Sequence, residues 1–319
     1  MQRLPEIVSA VQTIIDSRRD LCGQFILTGS QQPQLATAVD ESLAGRTSVL
    51  DLLPLSCQEL GDSLNALSTD ECIARGFMPE LHANRKRPFN YYRNYFRTYV
   101  ERDVRRLVNI KNLLQFERFV TLLAGRVGQV VNFTSLANET GVSVSTVSAW
   151  LSVLEASFLV FRLPPYFSNI AKRVVKSPKV YFTDVGLVVY LMGIENAIQL
   201  KTHPLRGSIF ENMVVADIRK SFTNYGREPR MSFYRTEKGF EVDVIVERGG
   251  RVVPIEIKPS MTYGKNLIRN LETYCEADRN AEAPLLIYDG NDFTDLGSHG
   301  VRAMNWRKIC AKDFYGGKV

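Results

Sequence analysis

Asp243, Glu256 and Lys258 are the residues whose types and spacing most directly suggest chemistry in this chain. They lie in two runs rich in β-branched residues, 241–246 and 251–258, on either side of Glu247-Arg248-Gly249-Gly250. Such runs about a Gly-Gly pair predict a β-hairpin. Period-2 alternation puts Val242, Val244 and Val246 on one face of the first strand and Asp243 with Ile245 on the other. On the second strand, Ile255 and Ile257 face one way while Glu256 and Lys258 face the other. Asp243, Glu256 and Lys258 are thus expected to converge on one side of a small sheet. Asp243 and Glu256 offer hard oxygen ligands to a magnesium-sized ion, and the ammonium of Lys258 can hold or activate a water. The same residues also suit a plainer role, as solvent-facing strand residues paired across a hairpin.

Several elements must position this hairpin. Upstream, residues 207–215 open an apolar, helix-like run that carries Glu211, and 232–236 reads as a strand leading into the hairpin. Arg235 and Lys238 lie beside it, either to steady a phosphate or as solvated loop charges. Downstream, 265–274 predicts a crossover helix with Leu267, Ile268 and Leu271 inward, and 283–288 a buried strand. An acid on one strand followed by acid-x-Lys on the next resembles the PD-(D/E)xK nuclease superfamily, the restriction-endonuclease-like fold. The resemblance implies a nuclease-like α/β domain over 206–319, with Glu211, Asp243, Glu256 and Lys258 catalytic. It further implies magnesium held by Asp243, Glu256 and the Ile257 carbonyl, with Lys258 orienting the attacking water. The proline of the superfamily's first motif is absent, since Val242 precedes Asp243.

In the middle of the chain, Thr134 is placed to cap a helix over 135–140, Gly141 to make a turn, and Ser143 or Ser145 to cap a second helix over 146–151. Leu136, Ala137, Val142, Val147 and Trp150 fall at the small or apolar positions that a helix-turn-helix needs. With a strand at 158–163, the pattern predicts a winged helix. Its second helix exposes Ser143, Ser145, Thr146 and Ser148 and no basic residue, so direct reading of a DNA groove would be weak. Asp184 suits an N-cap for a helix starting near Leu187. A further basic segment, Arg85 to Arg106, is interleaved with Tyr91, Tyr92, Tyr95, Phe96 and Tyr99. An amphipathic helix burying aromatics accounts for the rings; solvated arginines and a phosphate-contacting face both fit the charges.

At the N-terminus, 7–15 has helical spacing, 24–30 and 47–53 read as short buried strands, and 35–43 as helix. Strands alternating with helices imply a parallel sheet, and this stretch is about half of such a domain. The segments QRLPEI, FILTGS, SLAGR and LLPLSCQEL, followed by RGFMPEL, FRTYVERDV, YFTDVGL and RGSIFENMV, resemble prokaryotic AAA-type ATPases that carry a C-terminal domain of unknown function. That resemblance implies a sensor position at Ser30 and a nucleotide-responsive arginine at Arg46. It also implies a phosphate loop and an acidic pair, yet no G-x-x-x-x-G-K-[ST] occurs in the sequence. The expectation is an N-terminally truncated relative with no ATP hydrolysis of its own, binding ATP only if the missing half is supplied.

The fold class expected is therefore α/β multidomain. It comprises a partial AAA-type α/β half-domain over 1–80, a helical and winged helix-turn-helix middle over 81–205, and the nuclease-like domain over 206–319. The 319 residues, 45% hydrophobic and 23% charged, suit a soluble globular protein of two or three domains. No apolar run reaches bilayer length, and five scattered cysteines and three scattered histidines suggest neither a disulfide framework nor zinc. A net charge of +6 favours an anionic partner. The expected partners are DNA and further copies of the chain, with no membrane, in the cytoplasm. The competing expectation is a non-catalytic DNA-binding or protein-assembly module with a relic nuclease fold.

Overall fold

The computed structural model describes residues 6–18, 20–28, 43–84, 86–98, 112–167, 175–310 and 314. The chain forms two compact units, 1–51 and 52–319. In the first, helix α1 (Glu6–Ser17) buries Val8 and Val11 against Leu43, with Ile15 and Leu27 partly buried beside them. The expected strands are not formed among the described residues: 21–28 and 47–51 are irregular, and Ile26, Val49 and Leu50 are largely exposed. A parallel strand buries its faces and pairs its amides only between neighbouring strands, and the described residues of this unit contain none. Apolar composition alone does not make a strand. The helix expected over 35–43 and the sensor position Ser30 lie outside the described residues, apart from Leu43.

The second unit opens with α2 (Cys57–Leu60), α3 (Thr69–Arg75), α4 (Pro79–Ala83) and α5 (Pro88–Tyr95). Three helices follow, α6 (Leu113–Ala124), α7 (Phe133–Thr140) and α8 (Val144–Ala156). Asn132 rather than Thr134 caps α7, its Oδ1 accepting from the Ser135 amide at 2.9 Å. Gly141 ends α7 at φ 75°, ψ 35°, the left-handed conformation that glycine adopts without strain. Ser143 then caps α8 by accepting from the Thr146 amide at 3.1 Å. Strands β1 (Val160–Leu163) and β2 (Lys179–Phe182) form a two-stranded antiparallel sheet.

Beyond β2, Asp184 caps α9 (Val185–Leu191), and α10 (Ala197–Lys201) leads to α11 (Arg206–Thr223). A six-stranded sheet follows, in the order β3-β4-β5-β6-β8-β7. β3 (Met231–Arg235), β4 (Glu241–Arg248) and β5 (Arg251–Lys258) are antiparallel, whereas β6 (Leu285–Tyr288) runs parallel to β5. β7 (Phe293–Leu296) and β8 (Val301–Asn305) complete it, and α12 (Arg269–Ala277) connects β5 to β6. Gly249 and Gly250, at φ 55° and 84°, make the two-residue turn. One sheet face, with Val244, Val246, Ile255 and Ile257, shares a core with α11; the other, with Ile245, Leu286 and Tyr288, packs with Leu271 and Tyr274 of α12. The first core draws on described residues from Cys57 to Phe314, on both sides of the expected boundaries at 80 and 205. No helix among the described residues is long and apolar enough to cross a membrane.

Candidate active site at the β4–β5 hairpin

The alternation expected along β4 fails at one place. Val242 packs with Ile245 on the α12 face rather than with Val244 and Val246. The pairs Ser232–Ile245 and Tyr234–Val242 show why: β4 uses one residue more than β3 between them, a bulge at Asp243 and Val244. A bulge re-aims a side chain and interrupts the ladder. Here the ladder between β4 and β5 stops at Val244–Ile255, and the Asp243 carboxylate accepts the Ile257 amide at 2.8 Å.

Three of the expected residues meet at this point. Lys258 Nζ lies 2.6 Å from Glu256 Oε1 and 3.4 Å from Asp243 Oδ2. Asn270 of α12 donates to the same Glu256 oxygen at 3.4 Å, while Glu256 Oε2 is buried with no hydrogen-bond partner. Burial pushes the Glu256 carboxyl up to about 8; the Asp243 charge adds to the rise, and Lys258 opposes it. Burial works against the Lys258 ammonium, yet Asp243 and Glu256 outweigh it and raise its pKa.

Glu211 comes from α11, on the other face of the sheet. Its Oε1 accepts from Tyr181 Oη at 2.6 Å and from Lys179 Nζ at 3.0 Å, both delivered by β2. Burial pushes Glu211 up to about 7, Lys179 pulls it down, and the Asp243 charge pushes it up again. Asp243 therefore bears on both glutamates, and the three carboxylates form one electrostatic group. The rotation of α11 is set by the next residue. Asn212 accepts from the Phe182 amide at 2.7 Å and donates to the Phe182 carbonyl at 3.0 Å, clamping the helix to β2. Gly128, at φ 73°, leaves room for Glu211, since a Cβ there would lie 3.3 Å from its oxygen.

Sequence reasoning missed Lys179, Tyr181 and Glu241 as members of this site. Lys179 Nζ, only 1% exposed, also pairs with Glu241 at 2.5 Å, and Arg235 reaches the other Glu241 oxygen at 3.1 Å. A signal was present: a lysine opening the apolar run Lys-Val-Tyr-Phe must find carboxylates if the run is buried. Arg46 is in the other compact unit, where its guanidinium contacts Asp16 at 2.8 and 3.2 Å.

The residues fit a divalent ion in one respect and resist it in another. The orphaned Glu256 oxygen and the adjacent Asp243 carboxylate are hard donors of the kind magnesium takes. Among the described residues, however, no three His, Cys, Asp or Glu side chains could share an ion. The available set is two carboxylates, completed by a backbone carbonyl and water, and Lys258 occupies both carboxylates.

Residues 1–61 match the family described as AAA domain. Residues 67–197 and 206–309 match two families described as domains of unknown function. Uncharacterized proteins of Mycobacterium bovis and Mycobacterium tuberculosis are each 30% identical over 264 residues, 82% of this chain and 58% of theirs. A Haemophilus influenzae protein is 23% identical over 207 residues, 60% of this chain and 52% of its own. The chain thus spans less than two thirds of the length of these relatives. The half-complex of Thermococcus gammatolerans McrB AAA+ hexamers with bound McrC aligns with a TM-score of 0.25 and 11% identity, over 64% of this chain and 50% of that one. So weak an alignment carries no argument about the fold.

Proposed function

From a chain related to AAA-type ATPases and carrying two domains of unknown function, we propose a DNA-engaging protein whose 206–309 region is a metal-dependent nuclease-like domain. The observation that carries this reading is the bulge at Asp243, which brings Asp243, Glu256 and Lys258 together where β4 and β5 part. The order of helix, three antiparallel strands, helix and parallel strand supports a restriction-endonuclease-like core. Asp243 and Glu256, with the Ile257 carbonyl, would hold magnesium, which when bound polarises a phosphoryl oxygen and acidifies water. Lys258 orients the attacking water once it has left the carboxylates. Glu211 completes the charge of the site. Helices α6 to α8 with the β1–β2 sheet support a winged helix, the part proposed to hold DNA. With no phosphate-loop sequence to cradle nucleotide, ATP turnover by this polypeptide is not expected, and roles for Ser30 and Arg46 belong to a form supplied with that loop.

A second reading is favoured by the lysines. Lys258 already pairs with Asp243 and Glu256, and Lys179 with Glu211 and Glu241, as in a non-catalytic scaffold that kept the fold. Supercoiled plasmid incubated with manganese separates the two. Nicking that is lost in Lys258→Ala, with manganese binding retained, supports the nuclease. Calorimetry that finds no manganese binding by the wild type, with or without DNA, supports the scaffold.

A further inference from the structure

Helix α5 has two faces of different character. Its inner face is accounted for by packing: Tyr92 and Phe96 are buried, the Tyr92 hydroxyl donates to Asp184 at 2.7 Å, and Tyr91 and Tyr95 are half-buried against the same core at the border of the two faces. Its outer face borders a cleft of about 510 Å³, within the roughly 300–1,000 Å³ of small-ligand sites. Two stripes at i, i+4 spacing line it. One is Arg87, Tyr91 and Tyr95; the other is Asn90, Asn94 and Thr98. The Tyr91 and Tyr95 rings are stacked, 6.3 Å apart and 9° from parallel, and Tyr91 is held edge-on by Tyr92 at 5.4 Å. The Thr98 hydroxyl donates to the Asn94 carbonyl at 2.7 Å, while the side-chain amides of Asn90 and Asn94 bond to no described residue. Lys86 is paired with Glu80, and Arg87 makes no ion pair with a described residue.

Besides the Glu80–Lys86 pair, the cleft lining offers two half-buried rings fixed by the core, two amides able to donate and accept, and the Arg87 cation at one end. We propose that the cleft binds one nucleotide unit. Its base stacks on the Tyr91–Tyr95 pair, the amides of Asn90 and Asn94 meet the base edge, and Arg87 holds the phosphate. The unit is either a free mononucleotide or one residue of a single strand. The inference does not rest on the metal site or on nuclease activity.

The test uses the full chain in chelator, so that failure of the nuclease reading does not enter. Two probes are used: fluorescein-labelled oligothymidylate by anisotropy, and AMP and UMP by calorimetry. Arg87→Gln and Tyr95→Leu should each weaken binding by about tenfold or more, as expected for a lost phosphate contact or stacking partner. Lys201→Gln, a charge change on α10, should leave it unaltered. Asn94→Ala replaces Tyr95→Leu if circular dichroism shows the latter unfolded. Binding of the strand alone identifies a strand site, and binding of the mononucleotides identifies a free-nucleotide site. The proposal is overturned if neither probe binds, if both cleft variants bind as the wild type does, or if Lys201→Gln weakens binding as much as they do.

Discussion

At the scale of single residues, the site is a balance between buried carboxylates and two lysines. Lys179 shows what each lysine holds in place. Lys179→Met would leave Glu211 and Glu241 half-buried against an apolar side chain, and we expect a loss of about 3 kcal/mol, as for other broken buried pairs, read by urea denaturation. Protons matter as well. Glu211 and Glu256 are raised from 4.5 to about 7 and about 8, so the folded chain holds protons that the unfolded chain has released across that interval. The unfolded state binds fewer protons at these two groups, so their contribution to stability falls as pH rises from about 4.5 to about 8. Glu256→Gln keeps the shape and removes one titration. Denaturation midpoints measured across this range should decline less steeply in the variant; an unchanged slope would show that Glu256 does not carry the proton. On the proposed metal-dependent reading, manganese would compete with that same proton, and its affinity should rise with pH over the same interval.

Turns and bulges decide where the side chains go at the scale of elements. The Gly249-Gly250 turn joins β4 and β5, and the bulge turns Asp243 toward the Ile257 amide. Two glycines elsewhere separate the cost of a backbone conformation from the cost of a close approach. Gly141 has φ 75° and a Cβ there would meet only the Gln115 amide at 3.4 Å; Gly141→Ala should cost about 1–2 kcal/mol, the price of a left-handed alanine. Gly76 has φ 70°, and a Cβ would fall 2.0 Å from the Tyr92 hydroxyl and 2.6 Å from Asp184. Gly76→Ala adds overpacking to backbone strain and should cost about 3 kcal/mol or more. Chemical denaturation of the pair measures the difference. Equal losses would mean that Tyr92 moves aside freely.

The whole molecule is unevenly provided with core. Unit 52–319 has one core shared by the middle helices and a sheet face, and a second under α12, whereas unit 1–51 buries only Val8, Val11 and Leu43 fully among its described residues. A fragment of residues 52–319 should therefore unfold in one cooperative transition by calorimetry. A broad transition would show that the two cores of this unit melt separately. The shared core also explains how β2, from the middle of the chain, furnishes Lys179 and Tyr181 to a site on the C-terminal sheet.

Local chemistry was legible in the sequence wherever it depends on neighbours along the chain. The hairpin about Gly249-Gly250, the cap at Asp184 and the turn at Gly141 follow from residue type and spacing, because backbone conformation and short-range hydrogen bonds are local. That Asp243, Glu256 and Lys258 meet was legible for the same reason, through the pattern of two adjacent strands. What required the tertiary structure depends on partners distant in sequence. The bulge that moves Val242 to the other face is a property of the pairing with β3 and leaves no mark in β4 itself. The runs expected as strands at 24–30 and 47–53 are irregular wherever they are described, since a strand exists only against another strand. Lys179 and Glu211, 32 residues apart, form an ion pair only because Asn212 clamps α11 to β2.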